Sequence, residues 1–278
     1  MLHDDEALIP LLRSVARDAA IAAGRVIRGG FGSLQQVDRE LPHDLKLWLD
    51  RASEEEILRV LRTSFPGHAV LSEERGFEPG REPYLWIVDP LDGTVNYDHG
   101  IPFFCTSIAC HAIADEAISG PVTLLPDGRA LGEPIVGVVY DPLWDELFAG
   151  TAGRGASLNR GPLLTPEATR LDEAVVALSF GASEESVAYM DRLLPALTRC
   201  ARKVRSFGST ALDMVQVAAG RIGAFVQMGT NLWDFAAAAV VVSAAGGVVD
   251  VKEYGPGRFR IIASARGIFE EVRRQAEG

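Results

Sequence analysis

The stretch Leu85-Trp86-Ile87-Val88-Asp89-Pro90-Leu91-Asp92-Gly93-Thr94 constrains this chain more than any other. Leu85 to Val88 is a short apolar run and reads as a buried strand, and it ends in two acids, Asp89 and Asp92. Pro90 fixes its own φ and lacks an N–H, which predicts that the strand stops there. Gly93 permits a sharp turn or a close backbone approach. Two carboxylates, the Leu91 carbonyl and the Thr94 hydroxyl are thereby displayed at one strand end. Hard divalent cations such as Mg²⁺ take oxygen ligands of this kind. Asp92-Gly93 on its own would be an ordinary surface turn.

The flanking sequence supplies helices and further strands. Leu8, Leu12, Val15, Ala19, Ala22 and Val26 fall at helical spacing and predict a helix capped by Asp4 or Asp5 and running to about Arg28. The polar segment from Ser33 to His43 reads as a loop, and a second helix is expected from about Asp44 to Ser64. Asp50 interrupts its apolar sequence, and local grounds favour a solvated acid there. Ala69 to Leu71 leads as a strand into Ser72-Glu73-Glu74. Strands are expected at Phe103–His111 and Ile135–Tyr140, joined by a long connection over 114–134 that reads as a surface insertion. From about Leu171 strands and helices alternate, which favours a sheet flanked by helices. Asp234 falls in the first turn of an Ala- and Val-rich helix, where a carboxylate complements the helix dipole.

A formal net charge of −11 argues against a nucleic-acid-binding surface. Three cysteines, Cys105, Cys110 and Cys200, have no metal-ligand spacing and read as reduced thiols. No apolar run reaches transmembrane length, and the acidic N-terminus lacks a signal-peptide pattern. A soluble, cytoplasmic protein without membrane contact is the expectation.

Asp89-Pro-Leu-Asp-Gly-Thr-Val-Asn-Tyr97 resembles the Asp-Pro-Leu/Ile-Asp-Gly-Thr-x-Asn-Phe signature of the inositol monophosphatase family, with Tyr97 where Phe is usual. The resemblance extends in order and spacing to Asp44-x-x-Leu47-x-x-Asp50, to Ser72-Glu73-Glu74, and to Trp233-Asp234-x-Ala-Ala followed by Ala-Gly-Gly. It implies an α+β / α/β fold, a five-layer α-β-α-β-α sandwich of the sugar-phosphatase type, most often a homodimer. Residues 1–170 would form an α+β domain carrying most metal ligands, and 171–278 an α/β domain carrying Asp234. The implied activity is Mg²⁺-dependent, lithium-sensitive hydrolysis of a small phosphate monoester, with two or three Mg²⁺ ions. An acidic protein that handles phosphate esters needs such ions to mask the repulsion.

By the same resemblance, Glu73, Asp89 and the Leu91 carbonyl form one metal site, and Asp89, Asp92 and Asp234 a second. Asp50 and Thr94 are the catalytic pair that deprotonates the attacking water. The Gly93 and Thr94 amides face the phosphate, while Gly208, Ser209, Thr210 and Gln227 meet the organic part of the substrate. Two positions depart from the family pattern, Leu47 in place of Thr and Gln227 in place of Glu. Rival substrates are those of 3′(2′),5′-bisphosphate nucleotidases, fructose-1,6-bisphosphatases and histidinol-phosphate phosphatases. From another class comes a catalytically inactive regulatory relative.

Overall fold

The structure is a computed structural model that describes residues 7–32, 42–114, 123–168 and 170–278, and of 42–47 the backbone alone. Two long helices open the chain, α1 (Leu8–Gly30) and α2 (Pro42–Ser64). Leu12, Val15, Ala16, Ala19, Ala23 and Ile27 make one buried stripe on α1. The expected caps Asp4 and Asp5 lie outside the described residues, as do 33–41 and the side chains of Asp44 and Leu47. Helix α1 runs through both Gly29 and Gly30 before ending. Helix α2 starts at Pro42, ahead of the expected Asp44, because a proline at the first helical position gives up an N–H that would have had no partner.

An eight-stranded sheet lies under these helices, in the spatial order β2 (Gly76–Glu78), β1 (Ala69–Ser72), β3 (Tyr84–Asp92), β4 (Cys105–Ala114), β5 (Ala130–Asp141), β6 (Glu146–Thr151), β7 (Gly155–Leu158), β8 (Gly161–Leu163). Strands β1 and β3 pair in parallel. Strand β3 corrects the expectation that Pro90 ends it: pairing continues to Asp92, with a register shift against β4 between Asp89 and Asp92. A bulge tolerates a proline because the ladder needs no N–H there, and Thr106 Oγ1 donates to the Pro90 carbonyl at 3.0 Å. The irregularity also resets the in–out alternation, which would otherwise point residues three apart to opposite faces. The end of the expected 114–134 insertion, from Ala130 on, is already strand β5; residues 115–122 lie outside the described set.

A second sheet of five strands has the order β10 (Lys203–Arg205), β9 (Val175–Phe180), β11 (Ala224–Thr230), β13 (Arg258–Ser264), β12 (Val248–Gly255). Helices α5 (Thr210–Ala218) and α6 (Leu232–Ala244) lie between the two sheets. Helices α4 (Glu184–Cys200) and α7 (Phe269–Glu277) cover the outer face of the smaller one. The result is the expected five-layer α-β-α-β-α sandwich. Every strand of the larger sheet precedes residue 164, and every strand of the smaller one follows residue 174.

Helix α6 positions one of the acids. It is Ala- and Val-rich and buried on nearly all sides, as expected for a helix between two layers. Gly137 and Gly150 let the sheet backbone approach it closely: a Cβ at Gly137 would collide with the Ala237 carbonyl, and one at Gly150 would lie 2.7 Å from the Val241 Cα. This close approach at two points fixes the position of α6 against the sheet.

Candidate active site

Strands β1 and β3 run in parallel, so residues at their C-terminal ends share one edge. Glu73 follows β1 directly, and its N–H donates to the Val88 carbonyl at 3.2 Å. The Glu73 and Asp89 carboxyls are hydrogen-bonded to each other, which requires a proton on one of them. Burial, and then the charges of Glu73, Asp92 and Asp234, hold Asp89 well above the usual carboxylate range. Burial is also the chief cause that pushes Glu73 up to about 7. Asp89 Oδ1 accepts from the Leu91 N–H at 3.0 Å.

Asp92 is held by the N-terminus of α5. Its Oδ2 accepts from Ser209 Oγ at 2.6 Å and from the Ala211 N–H at 2.6 Å, and Oδ1 from the Thr210 N–H at 3.2 Å. Burial and the charge of Asp234 nevertheless outweigh these bonds and raise Asp92 to about 7. Asp234 is the third residue of α6. Its Oδ2 accepts from Thr230 Oγ1 at 2.7 Å and the Asn231 N–H at 2.8 Å, so it does cap the helix. Burial raises this carboxyl as well.

Asp234 thus raises Glu73, Asp89 and Asp92, and Asp92 raises Glu73 and Asp89; the donors are all oxygen, which suits Mg²⁺. They do not form a finished cage. Among the described residues no group of three His, Cys, Asp or Glu side chains converges as metal ligands, because Asp92 is turned onto α5 and Asp89 is bonded to Glu73. Side-chain turns at these two acids would be needed to close around an ion.

Asp50 is buried at 5% exposure, not solvated as its local sequence suggested. It lies near Tyr97, whose phenol is raised by burial and then by the Asp50 charge and donates to the Ile27 carbonyl at 2.8 Å. Thr94 Oγ1 donates to the Leu91 carbonyl at 3.1 Å, so its single hydroxyl proton is directed there and not toward Asp50. Gly93 has φ +94° at the start of α3 (Thr94–Asp98), a short helix that the sequence reading missed. A Cβ at Gly93 would also lie 3.0 Å from the Phe103 carbonyl, so conformation and space both demand glycine.

Gly208, Ser209 and Thr210 do open a helix, but the Ser209 hydroxyl and the Thr210 amide are engaged with Asp92. Thr210 Oγ1 donates to the buried Gln227 Oε1 at 2.7 Å. Three neighbours escaped the sequence reading as site residues. Asn96 Nδ2 ties the Phe103 and Phe207 carbonyls together at 2.8 and 2.7 Å. Cys105 Sγ sits 3.8 Å from Asp92 Oδ2. Asp213 is fully buried and raised to about 8 by burial and by Asp92. Only Asn96, inside the signature, carried a signal that could have found it.

The family profile described as inositol monophosphatase family matches residues 11–123 and 130–276. The chain belongs to the inositol monophosphatase family. Like it are an inositol-1-monophosphatase of Synechocystis sp., 34% identical over 267 residues that span 93% of this chain and 86% of that protein, and the Nus factor SuhB of Salmonella typhimurium, 36% identical over 86% and 84%. The inositol monophosphatase of Anabaena (Nostoc) sp. superposes with a TM-score of 0.79 at 32% identity, covering 98% of this chain and 97% of that one. The inositol monophosphatase family fold therefore extends over nearly the whole chain.

Proposed function

We propose that this chain is a phosphatase that hydrolyses small phosphate monoesters, an inositol monophosphate or a related sugar phosphate, with Mg²⁺. The observation that supports the reading is the cluster of Glu73, the buried Asp89 and Asp92, and Asp234, oxygen donors whose charges oppose one another where one sheet edge meets the start of α6. Glu73, Asp89 and the Leu91 carbonyl would hold one ion, and Asp89, Asp92 and Asp234 another, with two or three ions in all. Bound there, Mg²⁺ would screen the charge of the ester and make a water molecule more acidic.

The remaining work falls to the chain's own groups. Turning the Thr94 hydroxyl from the Leu91 carbonyl toward Asp50 would release that carbonyl and form the pair that takes the proton of the attacking water. The amides of Gly93 and Thr94 would hold the phosphate, and Ser209, Thr210 and Gln227 would border the organic group. Bond by bond, donors of this kind contribute about 2.7–4 kcal/mol to a transition state. A cytoplasmic homodimer, built of units 1–170 and 171–278, belongs to the same proposal. No described helix is long and apolar enough to cross a membrane.

Phosphate release from inositol 1-phosphate, fructose 1,6-bisphosphate, adenosine 3′,5′-bisphosphate and histidinol phosphate tests the reading. Turnover of inositol 1-phosphate should vanish in EDTA and return with Mg²⁺, and Asp89→Asn should lower kcat by on the order of 10³ or more. Turnover that persists under full chelation overturns the metal requirement. A protein that binds Mg²⁺ yet hydrolyses none of the esters would be a regulatory relative.

A further inference from the structure

Beyond the acid cluster, with β4 and β5 in between, a cavity of about 590 Å³ opens where the start of α1 meets β6 and β7. Arg13, Arg17, Arg154 and Arg160 line it together with Ser14 and Asn159, and no Asp or Glu does. The chain has 38 acidic residues against 27 basic ones, and arginines elsewhere find them: Arg62 pairs with Glu78, Arg75 with Glu54 and Arg221 with Glu146. Among the described residues none of the four cavity arginines makes an ion pair.

Two further observations describe the charge of this cavity. Arg13 is aimed by the sheet, its Nη2 donating to Ser157 Oγ at 2.6 Å and to the Ala149 carbonyl at 3.3 Å. Burial, and then the charge of Arg17, both work against its own charge, so the two neighbouring guanidiniums repel each other. Helix α1 adds to the field. Its N-cap is Ala7, which has no side chain able to accept a hydrogen bond, and its first turn contains no acid. The first turn of this 23-residue helix, through Ile9 and Pro10, borders the cavity beside the arginines; Asp4, Asp5 and Glu6, which precede it in sequence, lie outside the described residues.

We propose that this cavity binds a compact polyphosphate, the triphosphate of a nucleotide or an inorganic oligophosphate. Guanidinium groups match phosphate oxygens in pairs, which suits arginine better than lysine for this ligand. The volume falls within the range of small-molecule sites, roughly 300–1,000 Å³. No aromatic ring lines the cavity, so nothing stacks on a base; the phosphate chain is what the site reads. ATP and tripolyphosphate should then bind alike, and adenosine not at all. The site is independent of the phosphatase reading.

Calorimetric titration of the full-length protein with sodium tripolyphosphate in EDTA tests this. Without divalent ions the acid cluster repels phosphate, so binding there does not mask binding in the arginine cavity. One saturable site per chain is expected, with affinity falling about tenfold between roughly 0.05 M and 0.3 M NaCl. The double variant Arg17→Gln/Arg160→Gln changes two exposed side chains and should weaken binding about tenfold while leaving inositol 1-phosphate turnover and the melting temperature unchanged. Comparable affinity for ATP assigns the site to phosphate chains in general; tripolyphosphate binding without ATP binding assigns it to inorganic oligophosphate. No saturable binding at low salt, or equal binding by the double variant, overturns the proposal. A single-stranded RNA that binds tenfold tighter than tripolyphosphate would overturn the small-ligand assignment.

Discussion

The acid cluster and the arginine cavity carry the same imbalance with opposite sign, and the fold treats them differently. Asp89 and Asp92 are buried, Asp234 is half-buried, and their charges oppose one another. That is tolerable because a carboxylate can take up a proton, and burial raises Glu73 and Asp92 toward neutrality, to about 7. A guanidinium has no such escape, since it keeps its proton at any ordinary pH. Accordingly Arg17, Arg154 and Arg160 remain exposed and Arg13 is only partly covered. One cluster can relieve its charge by taking up protons; the other holds a fixed charge in water.

The largest effect expected from probing this contrast lies with Asp50 and Thr94. Asp50→Asn and Thr94→Ala should each lower kcat by about 10²–10³. Their combination should be little worse than either alone, because residues that act as a unit are not additive. Steady-state kinetics of the four-member cycle decides it: fully additive losses would mean that the two act separately.

A smaller effect follows from the protons. Glu73 and Asp92 sit at about 7 in the folded chain against ordinary values of 4.5 and 3.8. Between roughly pH 4 and 7 the unfolded chain therefore releases protons that the native state keeps, and stability declines as pH rises through that window. In EDTA the melting temperature should fall by about 5 °C between pH 5 and pH 8, at about 2–4 °C per kcal/mol for a chain of this size. Mg²⁺ favours the deprotonated acids and should shrink the fall, whereas Arg17→Gln/Arg160→Gln should leave it unaltered. A melting temperature that rises with pH in EDTA would break the contrast between the two clusters.

The smallest effect concerns Gln227, whose amide oxygen already accepts from Thr210. Gln227→Glu keeps an acceptor there and adds a charge, so substrates bearing two phosphates should lose ground. We expect the kcat/KM of inositol 1-phosphate to rise about fivefold relative to fructose 1,6-bisphosphate, because a charged acceptor bonds a hydroxyl roughly twice as strongly. An unchanged ranking would show that the neutral amide does not set substrate preference.

How far each of these regions could be read in advance depends on how local it is. Asp89, Asp92 and Thr94 lie within six residues of sequence, and the helices and main strands announced themselves by periodicity, so both were legible. The end of β3 was misjudged because a bulge, a property of the pairing with β4, accommodates Pro90. The environment of Asp50 was misjudged because its burial depends on the packing of α2, which a solvated-acid rule cannot see. Strands β2, β7 and β8 are three or four residues long, too short for alternation to register. Neither the Asp92 contacts with α5 nor the meeting of Arg13 with Ser157, 144 residues away, leaves any local trace.

The grip of Ser209 on Asp92 spans 117 residues, and that separation has a consequence in time. During synthesis Glu73, Asp89 and Asp92 are all made before the α5 amides exist. At about 5–20 residues per second, the interval between Asp92 and Ser209 is roughly 6–23 s. Throughout it, the large sheet can pair its strands while its most acidic edge has no amide donors from the later half of the chain. Asp234 arrives later still. The cluster is completed last, so the ability to gather these four acids reports that both halves of the polypeptide have been made and joined.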